Sequence, residues 1–164
     1  MVASGRARTW GWVVVLAVAL PLVACGAIPT DPERTLARIE DTGVLLAGAA
    51  PRPPWVELPA QAGEPPGGSE VRLVEDFAEQ LGAEVTWTIA GEEELVRLME
   101  AGELDVMVGG LSEQNPYQNK VAFTRPYTRS TDPEGKTLKH VMAVRLGENA
   151  LLSRLEHFLD EAVG

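Results

Sequence analysis

Few side chains in this sequence could do covalent or metal chemistry: one cysteine, Cys25, and two histidines, His140 and His157. Neither histidine has a cysteine or a second histidine at the spacing that metal sites use. The Gly-x-Ser-x-Gly, Walker and dinucleotide fingerprints do not occur, and no acid–base pair stands out. The sequence therefore predicts no catalytic residue, no metal ligand and no cofactor.

Cys25 follows the features of an export signal. Two arginines precede an apolar run at residues 12–20, which is shorter than the roughly 20 residues that cross a bilayer. The segment Leu22-Val23-Ala24-Cys25 then resembles the bacterial lipobox, in which the cysteine is acylated and becomes the first residue after cleavage. We predict a signal peptide over residues 1–24, lipidation of Cys25 and a lipidated tether over residues 25–31. A transmembrane anchor with an incidental cysteine is the alternative.

The charge of the mature chain limits its partners. Removing 24 of the 164 residues leaves 140, and the removed part holds two of the 14 basic residues and none of the 24 acidic ones. The mature net charge is therefore −12, and such a surface repels nucleic acid and anionic lipid head groups. We expect contact with the membrane through the lipid on Cys25, and no nucleic-acid partner.

The apolar pattern predicts alternating helices and strands after the tether. The predicted strands are residues 44–49, 85–89, 104–108 and 141–144, and the predicted helices are residues 30–39, 71–81, 95–99 and 151–163. The first of these helices opens on a capping box, Thr30-Asp31-Pro32-Glu33. This order is typical of an α/β domain with a mostly parallel sheet flanked by helices.

A ligand site is expected where the strand order of such a sheet reverses. If the second and third strands lie on opposite sides of the first, the loops after the first and third strands border one crevice. Those loops supply the candidate ligand-binding residues Arg52, Trp55, Gly109, Gly110 and Ser112. A tryptophan offers a flat apolar face, glycines let a ligand approach the backbone, and an arginine suits an anion. The alternatives are a tryptophan that covers the core, glycines that only shape a turn and a solvated arginine.

Six segments carry a family resemblance through their order: Thr35–Leu45, Pro53-Pro54-Trp55, Glu70–Ala78, Glu100–Val106, Val121–Tyr127 and His140–Val144. Together, over residues 32–162, they resemble the extracellular solute-binding proteins of family 3, the amino-acid type that often serves ABC importers. The resemblance implies one periplasmic-binding-protein-like lobe over residues 32–164. It also adds Pro54 to the candidate ligand-binding residues and gives Ser112 the place of a polar binding residue.

The sequence departs from the family pattern in two ways. Family members insert a second lobe after the aromatic-Pro-Tyr segment, whereas a predicted loop over residues 128–139 takes its place here, so the second lobe is missing. A single lobe cannot close a hinge on its ligand. In amino-acid binders an arginine after the third strand grips the ligand carboxylate, but Tyr117 stands at that position. The resemblance therefore implies a ligand contact from Tyr117 and speaks against ordinary amino-acid binding.

Two functions remain, and neither is an enzyme. The first is an exported substrate-binding lipoprotein, anchored to the outer face of the membrane, that serves an ABC-type transporter. It would bind a small-molecule solute weakly, or complete its cleft with a transporter or a second-lobe partner. The rival is an accessory or sensor protein whose former ligand cleft docks a protein through exposed Trp55, Tyr117 and Tyr127. Converging polar groups in a concave site favour the first, and a contiguous apolar patch favours the second.

Overall fold

The computed structural model of the chain describes residues 31–61 and 63–164. The predicted signal peptide, the lipidation site at Cys25 and the start of the predicted capping box at Thr30 lie outside these residues. In the described part of the chain, every helix is too short or too polar to cross a membrane.

Helices and strands alternate through most of the described chain. The helices are α1 (Thr35–Thr42), α2 (Ser69–Gln80), α3 (Glu92–Glu100) and α4 (Asn149–Val163). The strands are β1 (Val44–Ala49), β2 (Glu84–Ile89), β3 (Val106–Val108), β4 (Val121–Phe123), β5 (Thr128–Thr131), β6 (Thr137–His140) and β7 (Ala143–Arg145). The prediction of a first helix from residue 30 is wrong at its start, because Arg34 holds a left-handed conformation (φ 53°) directly before α1.

The main sheet has the strand order β2-β1-β3-β7-β4. β1 is parallel to both β2 and β3, which confirms the predicted reversal of order around the first strand. β7 is antiparallel to both β3 and β4. Four of these five strands therefore run in one direction, and the mostly parallel sheet of the prediction has one reversed member.

Residues 128–139, predicted as a loop, are instead part of the antiparallel hairpin β5–β6. Thr128 pairs with His140, and Thr131 pairs with Thr137. Asp132 shapes the turn, since its carboxylate accepts hydrogen bonds from the backbone N–H groups of Glu134 (3.1 Å) and Lys136 (2.7 Å). The sequence pattern missed these strands because Thr-Arg-Ser-Thr has no apolar alternation, although it is rich in β-branched residues.

The core lies on both faces of the sheet. Leu45, Ala47 and Ala49 alternate onto the face that packs against α1, α2 and α4. The other face packs against α3, and Gly48 allows the close approach there. A Cβ at Gly48 would lie 2.8 Å from a methyl carbon of Leu104. A sheet buried on two faces holds its loops at fixed positions, including those at its carboxyl edge.

The buried carboxylate of Glu148 ties the N-terminal segment to α4. It accepts hydrogen bonds from the backbone N–H groups of Glu33 and Thr35, both at 3.2 Å, and it is 1% exposed. Burial opposes its charge, but hydrogen bonds from Asp31, Thr35 and the backbone lower the pKa of Glu148 to about 2. Burial first, and then the hydrogen bond and charge of Glu148, raise the pKa of Asp31 to about 6.

This carboxyl pair predicts a pH-dependent stability. Between about pH 4 and pH 6 the folded protein holds a proton on Asp31 that the unfolded chain has released, so the free energy of unfolding falls as the pH rises through this window. Asp31→Asn removes the second negative charge and, because solvent screens the partly exposed Asp31, is expected to stabilise the fold by only about 1 kcal/mol at pH 7.5. The gain should shrink towards pH 4. Urea unfolding at both pH values measures it, with the exposed Asp41→Asn as control, and an equal effect at the two pH values would contradict the assignment.

Candidate functional site

The loops that follow β1 and β3 lie side by side. The backbone N–H of Ala50 donates to the carbonyl of Val108 at 2.8 Å. A Cβ at Gly110 would lie 2.5 Å from Cδ1 of Trp55 and 2.8 Å from Cδ of Arg52, so only a glycine lets these loops touch. The structure thus brings together four of the predicted site residues, which we call the switch-point site: Arg52, Trp55, Gly109 and Gly110.

The loop after β1 also holds the start of α2. The carbonyl of Pro54 accepts a hydrogen bond from the backbone N–H of Ser69, and that of Trp55 accepts one from the backbone N–H of Glu70, both at 3.1 Å. These bonds satisfy two N–H groups that a helix start leaves without a partner. Pro54, which follows a cis peptide bond, is exposed and contributes its carbonyl to this junction.

Glu70 is a residue of the site that the sequence analysis missed. Its side chain is fully buried, and Oε2 accepts hydrogen bonds from the backbone N–H groups of both Gly109 and Gly110 at 2.8 Å. Oε1 accepts a hydrogen bond from the Tyr127 hydroxyl at 2.5 Å. Burial, followed by the charge of Glu70, raises the pKa of Tyr127 above its ordinary range, so the hydroxyl keeps its proton and donates. One carboxylate thus joins α2, the loop after β3 and the segment before β5.

Trp55 packs against the hairpin and is half-buried. Its ring lies 4.2 Å from that of His140, at an interplanar angle of 36°. His140 is 2% exposed, and its Nε2 is hydrogen-bonded to Oγ of Ser130 at 2.7 Å. Ser112 lies opposite His140 in an isolated backbone bridge. The loop after Gly110 therefore runs along β6, which brings Ser112 to the edge of the switch-point site.

The Ser130–His140 pair does not form a catalytic triad with a third residue of the described chain. Nδ1 of His140 is buried and has no hydrogen-bond partner among the described residues. A triad needs an acid at that nitrogen to orient the imidazole as a base. The role of the pair that the structure shows is to pack His140 against the ring of Trp55.

The predicted cation of the site, Arg52, lies beside a carboxylate. Its Nη2 atom is 3.9 Å from Oε1 of Glu92, and its side chain is 57% exposed. Glu92, at the start of α3, is fixed by a hydrogen bond of 3.1 Å from Nδ2 of the buried Asn115. The guanidinium of Arg52 is thus exposed to solvent, and the negative charge of Glu92, which Asn115 holds in place, lies beside it.

Tyr117 lines a different part of the molecule. Its ring is half-buried against the core next to α3 and borders a groove of about 500 Å³ together with Val96, Arg97 and Lys120. Its backbone N–H donates to Oδ1 of Asn115 at 3.0 Å. Polar contacts from Asn115 to Glu92 and from Glu92 to Arg52 connect Tyr117 to the switch-point site.

The larger grooves lie away from the switch-point site. One of about 590 Å³ lies between β2 and residues 58–61 and 63–65, and Trp87 and the exposed Leu58 are among the residues that line it. Neither this groove nor the one beside Tyr117 includes Arg52, Trp55 or Gly110. The predicted exposure of three aromatic residues is also wrong, since Trp55, Tyr117 and Tyr127 are all half-buried.

Several solved structures share this fold, and the chain covers most of each of them. The arginine-bound form of domain 1 from TmArgBP has a TM-score of 0.63 and 26% identity, over 76% of this chain and 97% of that one. The arginine-bound form of truncated ArgBP from T. maritima has a TM-score of 0.65 at 15% identity, over 76% and 99%. EhuB in complex with hydroxyectoine has a TM-score of 0.66 at 13% identity, over 77% and 86%. These likenesses define the class: one α/β lobe of the periplasmic-binding-protein type.

The family follows from the sequence match. The family model of the bacterial extracellular solute-binding proteins, family 3, matches residues 45–163. The chain belongs to this family, which confirms the resemblance found in the sequence. No curated protein matches the chain.

Proposed function

We propose that this protein is a single-lobe solute receptor, lipid-anchored through Cys25 to the outer face of the membrane, that serves an ABC-type transporter. The observation that carries this proposal is the switch-point site on a lobe of solute-binding family 3. There an aromatic face, a guanidinium and two close-approach glycines meet at the carboxyl edge of the sheet. Ligands of open α/β sheets bind at this position.

A single domain similar to this chain has been solved with a solute bound. Domain 1 from TmArgBP is arginine-bound, and this chain covers 97% of it. A small ligand is usually buried to roughly 70–90%. One wall buries less, so we expect weak binding, or a cleft that a transporter or a second-lobe partner completes. The hairpin β5–β6 stands where the family pattern has its second lobe.

The rival proposal is docking of a protein partner on the former cleft. It needs exposed aromatic side chains at the switch-point site. Trp55 is half-buried against His140, and Tyr127 is half-buried with its hydroxyl donating to Glu70, so neither ring is the exposed side chain that docking of a protein needs. The polar groups of the site that face solvent, the guanidinium of Arg52 and the carboxylate of Glu92, favour the solute receptor.

A thermal-shift screen tests solute binding. We would melt the full chain in mild detergent with amino acids, small carboxylates, polyamines, sugars and metal ions at millimolar concentration. A solute at 100 times its dissociation constant is expected to add about 2.7 kcal/mol of stability. Trp55→Ala should abolish this shift, because it removes the aromatic face of the site. Trp87→Ala, on the edge strand β2, is the matched control and should keep it.

Tyr117→Ala, in the same screen, tests whether Tyr117 contacts the solute together with the residues of the switch-point site. Because its ring lies in the groove beside α3, we expect the solute shift to persist in this variant. If Tyr117→Ala loses the solute shift, Tyr117 contacts the solute after all. A folded protein that no solute stabilises would contradict the receptor proposal and direct the search to a protein partner.

The lipid anchor has its own test. In a bacterial host that processes lipoproteins, the wild-type chain is expected to lose residues 1–24 and to incorporate labelled palmitate. Cys25→Ser removes the acylated thiol and should keep the signal region and take up no label. Mass spectrometry of the purified protein measures both. An uncleaved and unlabelled wild-type chain would favour the transmembrane anchor.

A further inference from the structure

The backbone donors that suit an anion at the switch-point site are already occupied. Neighbouring N–H groups that point to one spot form an anion-binding concavity. Gly109 and Gly110 present such a pair, but both donate to Oε2 of the buried Glu70 at 2.8 Å. A ligand carboxylate would have to displace a carboxylate that is also held by the hydroxyl of Tyr127. The site therefore offers no free backbone pair for a second anion at this point.

Three cations of the site loop and the hairpin also contact other side chains of this protein. Arg52 lies 3.9 Å from Glu92. On the hairpin, Lys139 pairs with Glu113 at 3.0 Å, and Lys136 donates to Oε1 of Gln114 at 2.7 Å. At the position where the family pattern places a carboxylate-gripping arginine, the chain has a tyrosine whose ring lies beside α3.

The groups that remain at the site suit a positive charge. The carboxylate of Glu92 is the acidic group of the site that reaches solvent, and it faces the guanidinium of Arg52. Glu92 is 29% exposed and is held in place by Asn115, so it can face a ligand without reorganising. Trp55 is half-buried next to Gly110, and a tryptophan ring attracts a cation over its face.

We infer that the switch-point site takes an organic cation without a carboxylate, an amine or a guanidine, in preference to an amino acid. This inference rests on the proposed solute-receptor function and names the ligand class of the same site. The cation competes with Arg52 for Glu92 and lies against Trp55. Its recognition needs neither the backbone pair of Gly109 and Gly110 nor an arginine at position 117.

Agmatine and arginine test the inference, because they share a guanidinium on the same carbon chain and only arginine has the carboxylate. Cadaverine and lysine form a second such pair. Calorimetric titration of the full chain in mild detergent is expected to show each amine binding at least tenfold more tightly than its amino acid.

Substitutions at the site sharpen this test. Glu92→Gln should weaken agmatine binding tenfold or more, whereas the exposed Glu93→Gln, one residue along the same helix, should leave it unchanged. Arg52→Gln should strengthen agmatine binding, because it removes the competing guanidinium. If Arg52 instead grips a ligand carboxylate, the same variant loses arginine binding.

The outcomes separate this inference from the proposed function. Arginine or lysine binding as tightly as its amine, or binding of only neutral or carboxylate-bearing solutes, overturns the cation preference and leaves the receptor function standing. Equal loss of agmatine affinity in Glu92→Gln and Glu93→Gln overturns the assigned site. If no cation and no other solute of the screen binds the folded protein, both the inference and the proposed function fail.

Discussion

Glu70→Ala is expected to lower the free energy of unfolding by about 3–5 kcal/mol, since each buried polar group left without a partner costs roughly 1–3 kcal/mol. Three such groups would remain: the backbone N–H groups of Gly109 and Gly110 and the hydroxyl of Tyr127. The carboxylate is fully buried, so solvent does not reach these donors without local opening.

Urea unfolding of the full chain measures this loss. Glu70→Gln keeps an acceptor for the two N–H groups and should lose only about 1–2 kcal/mol. Glu75→Ala, an exposed glutamate on the same helix, is the control and should stay within about 0.5 kcal/mol of the wild type. A loss in Glu70→Ala as small as that of the control would show that the network contributes nothing to stability.

Gly68→Ala is expected to have the next largest effect, a loss of about 3 kcal/mol in the free energy of unfolding. Gly68 has φ 113°, which L side chains rarely adopt, and a Cβ there would lie 2.2 Å from the carbonyl oxygen of Trp55. That oxygen accepts the hydrogen bond from the backbone N–H of Glu70. The methyl group therefore pushes the site loop away from the start of α2.

Gly82→Ala is the matched control, because it measures the cost of a positive φ in a non-glycine residue without a steric clash. Gly82 also has a positive φ, 69°, but a Cβ there meets nothing within 4 Å. Its loss should be about 1–2 kcal/mol. Chemical denaturation compares the two, and the Gly68→Ala variant should also show a weaker Trp55-dependent solute shift. Equal losses at the two glycines would mean that the loop absorbs the clash without strain.

The position of the site could be predicted from the sequence, because it follows from topology. If the second and third strands lie on opposite sides of the apolar strand at residues 44–49, the loops after β1 and β3 meet, and the sheet has this order. The glycines after Val108 then become sites of close approach. The structure shows the close approach of the two loops at Trp55 and Gly110, and ligand binding there stays a prediction.

The residues that form the candidate site could be predicted only in part. The burial of Glu70 could have been predicted. It lies four residues before Val74 and seven before Phe77, so it shares the buried face of the helix with them. A glutamate on an apolar helix face needs buried partners. Which donors it finds depends on the packing of three distant segments, and the sequence pattern does not encode that. The same holds for Tyr117. Counting along the sequence matches it to a position in the family pattern, but the sequence does not show where its side chain packs.

The hairpin β5–β6 has a consequence for how this gene can change. Its two strands leave and re-enter the lobe side by side, and residues 133–136 between them are exposed. The family pattern carries an entire second lobe at this point. We therefore expect that one excision at this position of a two-lobe gene leaves a one-lobe protein, and that one insertion reverses the change. Neither event reorders a strand of the main sheet, so the same turn is a place to graft a reporter domain.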